Sequence, residues 1–200
     1  MDADTVEIRV LGCLIEKQRT TPDVYPLSLN ALRLACNQST NREPVVDYDE
    51  PTIRQALERL DRKRWARLAS GPGSRAAKFR HLLDDALGLD GAEISLLAVL
   101  MLRGAQTPGE LKQRTERLHR FDSPPEVEET LHRLAGRELV RNVGRRPGQK
   151  EDRWEQLLGE EAGPGEAPQP PAAPRDSLAE RVAALERQVA EILERLGVGD

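Results

Sequence analysis

Residues 50–80, EPTIRQALERLDRKRWARLASGPGSRAAKFR, decide the fold class of this chain. Pro51 suits the first turn of a helix, and apolar residues then recur at helical spacing. These are Ile53, Leu57, Leu60 and Trp65. Residues 67–70 alternate as a strand does, residues 71–74 (GPGS) predict a turn, and residues 76–80 predict a returning strand. A helix followed by a β-hairpin is typical of the second half of a winged helix.

The same pattern returns in residues 125–154, PEVEETLHRLAGRELVRNVGRRPGQKEDRW. The apolar residues of this second predicted helix stand at a constant offset from those of the first, namely Val127, Leu131, Leu134 and Leu139. Upstream, Glu7-Ile8 corresponds to Glu93-Ile94, and Thr21-Pro22 corresponds to Thr107-Pro108. Because the repeat is too long for a solenoid unit, it predicts two copies of one small domain.

The chain is therefore predicted to be mainly α with small β-hairpins, an α+β fold with two tandem winged-helix domains. The first domain spans residues 1–82 and the second spans residues 83–158. Residues 159–175 are rich in Gly, Pro and Ala and predict a flexible linker. Residues 176–200 predict a C-terminal coiled-coil helix.

Local signals place the helices. Thr5 is predicted to cap the first helix, and Ser28 a second helix in which Leu34 faces inward. Residues 83–90 are expected to form the inter-domain link. The helix over residues 91–103 is apolar on most sides, so it should pack against both domains.

The C-terminal helix carries an unbroken heptad seam, which favours a homodimeric coiled coil. The seam comprises Leu178, Val182, Leu185, Val189, Ile192 and Leu196. An amphipathic helix that folds back on the body is the alternative.

The net charge of −4 is concentrated in the tail, since residues 159–200 hold four Lys/Arg and nine Asp/Glu. Residues 59–80 instead hold eight basic residues and one acidic residue, Asp61. Because local field governs the approach to phosphate, the total charge does not exclude a nucleic-acid partner.

Several classes of protein are disfavoured. The sequence contains no run of about 18 apolar residues, so no membrane span is predicted. The acidic N-terminus is unlike a secretion signal. Cys13 lies in an apolar run and is expected to be a buried free thiol. Two cysteines predict neither a disulfide framework nor a zinc site. A cytoplasmic protein is expected.

Double-stranded DNA is the predicted partner. On the first recognition helix, the residues off the apolar face are Thr52, Arg54, Gln55 and Arg59. Arginine can bind guanine, and glutamine adenine, in the major groove. Phosphate contacts are assigned to Arg62, Arg64, Arg75 and Lys78, and in the second wing to Arg145, Arg146 and Lys150. The alternative is a solvated charged face on a helix that only packs.

The third helix of the second domain is predicted to contact protein or to dimerise, because Glu126, Glu128 and Glu129 crowd its start and would repel phosphates. The wing of that domain could still contact the DNA backbone. A protein-protein adaptor is therefore the second hypothesis. The Asn37–Arg42 loop, NQSTNR, could bind a ligand or could supply turn and capping bonds.

Enzyme motifs are missing from the sequence. The three histidines lie far apart, and no Gly-rich phosphate loop is present. No catalytic residue, metal ligand or cofactor is predicted.

Two longer motifs carry a family resemblance. Residues 20–45, TTPDVYPLSLNALRLACNQSTNREPV, and residues 100–111, LMLRGAQTPGEL, resemble the YceH-like proteins of bacteria. The resemblance runs from about residue 6 to residue 158 and extends to the C-terminal segment. It implies two winged helices and a homodimer. It implies no activity, no ligand and no catalytic residues, so the hypothesis of a DNA-binding transcriptional regulator depends on the residues above.

Overall fold

The computed structural model describes residues 3–69, 76–145, 148 and 151–159. Several predictions concern residues outside this part: the linker beyond Gly159, the coiled-coil helix and all six residues of its seam. Three predicted phosphate contacts also lie outside it, namely Arg75, Arg146 and Lys150. The described residues form seven α-helices and small antiparallel sheets, which confirms the predicted fold class.

The first half contains three helices and a three-stranded sheet. Its elements are α1 (Thr5–Thr20), a 3-10 turn (Pro22–Val24), β1 (Leu27–Ser28), α2 (Leu29–Cys36), α3 (Glu50–Arg62), β2 (Ala66–Leu68) and β3 (Lys78–His81). The strand order is β1-β3-β2, and both pairs are antiparallel. Phe79 of β3 lies opposite Leu27 on one side and Leu68 on the other. The predicted helix is thus present, and two strands pair where the hairpin was predicted. The predicted turn of residues 71–74 lies outside the described residues.

The second half repeats this order after a short helix. Its elements are α4 (Leu83–Leu87), α5 (Gly91–Arg103), α6 (Pro108–Thr115), α7 (Pro124–Ala135), β4 (Val140–Gly144) and β5 (Arg153–Gln156). Strands β4 and β5 pair antiparallel. Gln106, just before α6, makes an antiparallel bridge with Trp154. This bridge corresponds to the pairing of Leu27 with Phe79 in the first half.

Side-chain caps fix where the helices begin. Ser28 accepts a hydrogen bond from the Ala31 amide, as predicted. Thr107 and Glu110 form a complete capping box at the start of α6. The prediction for α1 was wrong by one residue. Asp4, and not Thr5, is its N-cap, in a capping box with Glu7. Asp90 and Glu93 form the same box at the start of α5.

The helices α1 and α5 pack against each other at the centre of the fold. Every residue from Glu93 to Leu102 of α5 is buried, as its uniform hydrophobicity predicted. Gly12 allows the two helices to approach closely, because a Cβ built there would lie 2.9 Å from Cγ of Leu102. The buried side chains of both halves form one continuous core, so residues 3–159 belong to one compact unit.

Three local predictions are corrected. Leu34 was expected to face inward but is 56% exposed, because it lies on the outer side of the short helix α2. Residues 83–90 were expected to be a link, yet they contain α4, whose Leu83 is fully buried. Thr21-Pro22 starts the 3-10 turn, and the structural counterpart of Thr107 is Ser28, since both cap the second helix of their half.

Candidate nucleic-acid interface

The helix α3 presents one buried face and one polar face. Asp49 caps it by accepting a hydrogen bond from the Thr52 amide at 2.9 Å. Hydrogen bonds from the Thr52 side chain and amide lower the pKa of Asp49, so this acid stays charged and complements the helix N-terminus. The buried face consists of Ile53, Ala56, Leu57 and Leu60. It packs against α1 and α2, which fixes the direction of the opposite face.

Four of the predicted DNA-contact residues lie on that polar face or at its end. Arg54, Gln55, Arg62 and Arg64 are all exposed. Within the part of the chain that the structure describes, their side chains form no ion pair or hydrogen bond. Arg64 occupies the left-handed region at φ 59°, in the turn between α3 and β2. The geometry therefore leaves their donor groups available to an outside partner.

The hairpin of the first half carries a pair of arginines that the sequence-based site did not include. Arg67 of β2 lies directly opposite Arg80 of β3. Like charges at directly opposite positions destabilise a sheet. The Nε of Arg80 is also buried, with no hydrogen-bond partner in the described structure. A bound anion would offset the repulsion between the two guanidinium groups. The strand register, which only the fold supplies, is what brings these two residues together.

Two further predicted residues lie beside this surface. Thr52 is half-buried, and its amide is used by the cap of α3. Lys78 is exposed and lies opposite Ser28 at the start of β3.

Arg59 was predicted to contact DNA, but it is engaged within the fold. Its Nη2 lies 2.6 Å from the Asp4 carboxylate, and its Nε lies 3.6 Å from that of Glu7. Lys63, one turn later, lies 2.8 Å from Glu7, which is 1% exposed. This cluster holds the third helix of the first half against the start of α1.

The second half repeats that cluster with different distances. Arg133 lies 3.7 Å from Asp90 and 3.8 Å from Glu93. Arg137 lies 3.4 Å from Glu93. In both halves, the acidic residues at the start of α1 or α5 therefore stabilise the fold by pairing with basic residues at or near the end of α3 or α7. The matching pairs Asp4/Glu7 and Asp90/Glu93 were the sequence signal that could have indicated this.

In the described part of the second hairpin, two arginines pair with acids of the same hairpin. Arg145 pairs with Asp152 at 3.2 Å, and Arg141 forms an ion pair with Glu155. At the start of α7, Glu126 accepts a hydrogen bond from the Asp122 amide. Glu128 and Glu129 are exposed on the same helix. The two hairpins thus differ in electrostatic character, although their backbones are alike.

The Asn37–Arg42 loop makes its bonds inside the protein. The Asn37 amide group exchanges hydrogen bonds with the backbone of Tyr48, at 2.8 Å and 2.9 Å. The Arg42 guanidinium is fully buried and binds Glu16 in a bidentate ion pair, with its shortest contact at 2.6 Å. It also donates to the Ala35 carbonyl. These contacts agree with the structural interpretation of the loop.

Cys13 and Cys36 are buried free thiols, as was expected for Cys13. A hydrogen bond between the two thiols, together with burial, raises the pKa of Cys36 well above its ordinary value. Among the described residues, no group of three or more His, Cys, Asp or Glu side chains could hold a metal ion. None of the described helices is long and apolar enough to span a membrane.

Comparison with known proteins then gives the family. A family model described as "Protein of unknown function, DUF480" matches residues 3–149. A UPF0502 protein of Serratia proteamaculans is 46% identical over 198 residues, which cover 95% of this chain and 92% of the relative. The chain belongs to this family.

Other relatives agree with that assignment. A UPF0502 protein of Geotalea daltonii is 50% identical over 85% of this chain and 79% of its own length. The UPF0502 protein YceH of Salmonella newport is 43% identical over 95% of this chain and 92% of its own length. The resemblance to YceH-like proteins is therefore confirmed. The family is uncharacterised, and its names state no activity.

Proposed function

We propose that this protein binds double-stranded DNA through α3 and the β2–β3 hairpin, in the manner of a winged helix. In this proposal it acts in the cytoplasm as a homodimeric, non-catalytic transcriptional regulator. The main supporting observation is that Arg67 and Arg80 are directly opposite each other in the hairpin. Arg62 and Arg64, at the end of α3 and in the turn that leads to this hairpin, form no ion pair among the described residues. Phosphates are natural ligands of guanidinium groups without a carboxylate partner.

The helix α3 would supply base contacts. Arg54 and Gln55 are adjacent exposed residues in its first two turns, the part of a recognition helix that enters the major groove. Arginine pairs with guanine and glutamine pairs with adenine through two hydrogen bonds each. In this proposal Thr52 of α3 and Lys78 of β3 add contacts to the DNA backbone. Arg59 is left out of this surface because Asp4 and Glu7 already bind it.

The second half would support the assembly and not the DNA contact. The acids of its hairpin already neutralise Arg141 and Arg145, and exposed glutamates at the start of α7 would repel phosphates. In the proposal, self-association uses the heptad seam predicted from the sequence between Leu178 and Leu196. Two copies would then present two α3 helices to one duplex.

Fluorescence anisotropy with mixed-sequence genomic duplexes tests the proposal. Affinity should fall steeply between about 50 mM and 200 mM salt, because counterions are released from DNA. Replacing both Arg62 and Arg67 with alanine should weaken binding to every DNA sequence. It should also reduce the slope of log affinity against log salt concentration by about 2. Replacing Arg54 and Gln55 with alanine should also reduce discrimination between sequences, by about 1–3 kcal/mol for each lost base contact.

The matched control is Arg120→Ala, which removes one positive charge at a side chain that is 79% exposed and lies after α6. It should leave DNA affinity nearly unchanged. If the protein binds no duplex at low salt, the proposal is contradicted. An equal loss of affinity in Arg120→Ala and in the variants of the first half would also contradict it.

A protein-protein adaptor is the second candidate, favoured by the exposed Glu128 and Glu129 on α7. An adaptor would contact a basic protein surface through that helix. Affinity purification of the full chain should then recover a stoichiometric protein partner. The charge reversal of both glutamates to lysine should abolish that recovery while leaving the first half unchanged.

A further inference from the structure

A groove of about 590 Å³ opens between the two halves of the molecule. Its walls come from the end of α1, the loop that follows α2, the end of α5, and α6 with the turn after it. This volume lies within the range of small-molecule sites. The groove is separate from α3 and from the β2–β3 hairpin, since neither contributes a lining residue.

Four basic side chains line the groove: Lys17, Arg103, Arg114 and Arg117. Glu16 is the acidic residue of the lining, and the buried guanidinium of Arg42 already binds it at 2.6 Å and 3.1 Å. Lys17 also lies 3.6 Å from Glu16, and Arg114 lies 3.6 Å from Glu110, which is outside the lining. The lining still holds four basic side chains and one acidic side chain, so it carries a net positive charge. Arg103 and Arg114 also repel each other: burial, and then the Coulomb field of Arg114, lower the pKa of Arg103.

Helix ends explain part of this cluster but not all of it. Lys17, Arg103 and Arg114 lie in the last turns of their helices, where cations complement the carbonyl end of the helix dipole. Arg117 has no such explanation, because α6 ends at Thr115. Within the described residues Arg117 forms no ion pair, and its side chain lines the groove.

We propose that this groove binds a small hydrophilic organic phosphate. Guanidinium groups match the geometry of phosphate oxygens and can bind them in pairs of hydrogen bonds. The polar side chains of Gln38 and Gln113 add amide groups for hydroxyl or carbonyl oxygens of the ligand body. Val99 and Leu102 supply a small apolar floor. A ligand seated here would touch both halves.

Isothermal titration calorimetry of the full chain tests the site with two probes, inorganic pyrophosphate and adenosine diphosphate. Both should bind saturably and with one-to-one stoichiometry, and both should raise the melting temperature by mass action. Arg117→Glu should weaken both at least tenfold. Arg120→Glu makes the same charge change three residues later, outside the lining, and should alter affinity less than twofold.

Circular dichroism melting should show that both variants are folded, since Arg117 and Arg120 are exposed. Saturable binding lost only in Arg117→Glu supports the site. Failure of both probes to bind, or equal behaviour of the two variants, overturns it. The result is independent of DNA binding, because replacing Arg54 and Gln55 with alanine should leave the affinity for both probes unchanged. If the wild-type protein binds pyrophosphate but no DNA, the result would therefore count against the proposed function alone.

Discussion

The carboxylate of Glu7 lies 2.8 Å from Nζ of Lys63, and this contact ties the start of α1 to the end of α3. The same carboxylate group caps its own helix by accepting a hydrogen bond from the Asp4 amide. Glu93 repeats both roles at the start of α5, where Arg137 takes the place of Lys63. One buried acid in each half thus joins a helix start to the helix that precedes the hairpin.

Replacing Glu7 with Gln should lower the free energy of unfolding by about 1.5–3 kcal/mol. Glutamine can still accept the Asp4 amide, so the loss isolates the charged contacts with Lys63 and Arg59. Urea denaturation at constant m-value measures it. The exposed control Glu58→Gln, on α3, should change stability by less than about 0.5 kcal/mol. Equal midpoints for the two variants would contradict the structural role of Glu7.

Gly12 is expected to be intolerant of a β-branched side chain. A Cβ there would lie 2.9 Å from Cδ2 and Cγ of Leu102 and 3.1 Å from Cβ of Met101. Gly12→Val should therefore separate α1 from α5 and cost about 1–3 kcal/mol of stability. Thermal melting with far-UV circular dichroism checks this.

A second glycine provides the control for that substitution. Gly136 has φ −61° and ψ −16°, and a Cβ there would meet its nearest atoms at an ordinary 3.6 Å. Gly136→Ala should leave stability unchanged or raise it by up to about 1 kcal/mol through the unfolded state. A Gly12→Val protein as stable as wild type would show that α1 and α5 are not closely packed.

Arg42 should not be replaceable by lysine. Its guanidinium binds both oxygens of Glu16 and the carbonyls of Ala35 and Asn41, and a single ammonium group cannot reach all of them. Arg42→Lys should cost about 2–4 kcal/mol, because Glu16 loses its bidentate partner in a buried site. Chemical denaturation measures the change. Arg120→Lys, at an exposed position, is the matched control, and an equal effect in both would refute the argument.

The sequence predicted the backbone better than the surface. Apolar spacing located α3 and α7, because this signal is local along the chain. Paired strands follow both helices, as the repeated pattern predicted. The predicted correspondence of Thr21-Pro22 to Thr107-Pro108 was wrong because the sequence offers two possible helix starts within a few residues. These are the 3-10 turn and the N-cap Ser28. The short helix α4 was missed since a single buried residue, Leu83, anchors it.

The candidate site was harder to predict because charge partners are distant in sequence. Arg59 has the spacing of a surface residue on α3, yet Asp4 holds it from 55 positions away. Arg67 and Arg80 become neighbours only through the strand register. The groove lined by Arg117 forms where the two halves meet, and no local sequence pattern predicts that contact. Arg54 and Gln55 were correctly predicted to be exposed, because helical periodicity alone determines that.

His81 should make stability depend on pH below neutrality. The residue is buried at the end of β3, and Nε2 lies 2.6 Å from Oε1 of Gln18 on α1. Burial lowers the pKa of His81, although Asp84, 3.6 Å from Nδ1, acts in the opposite direction. Arg19 and Arg80 lower it further.

The direction of the pH dependence of stability follows from proton binding. Below the unfolded pKa of about 6.5, the unfolded chain takes up a proton that the folded protein resists. Stability contributed by neutral His81 is therefore complete above about pH 6.5 and is lost as pH falls toward the lower folded pKa, by at most about 1.4 kcal/mol per pH unit. His81→Gln keeps a donor toward Gln18 but cannot titrate. Urea midpoints at about pH 7.5 and pH 5.5 should differ less in this variant than in wild type, and an identical difference would show that His81 is not the titrating group.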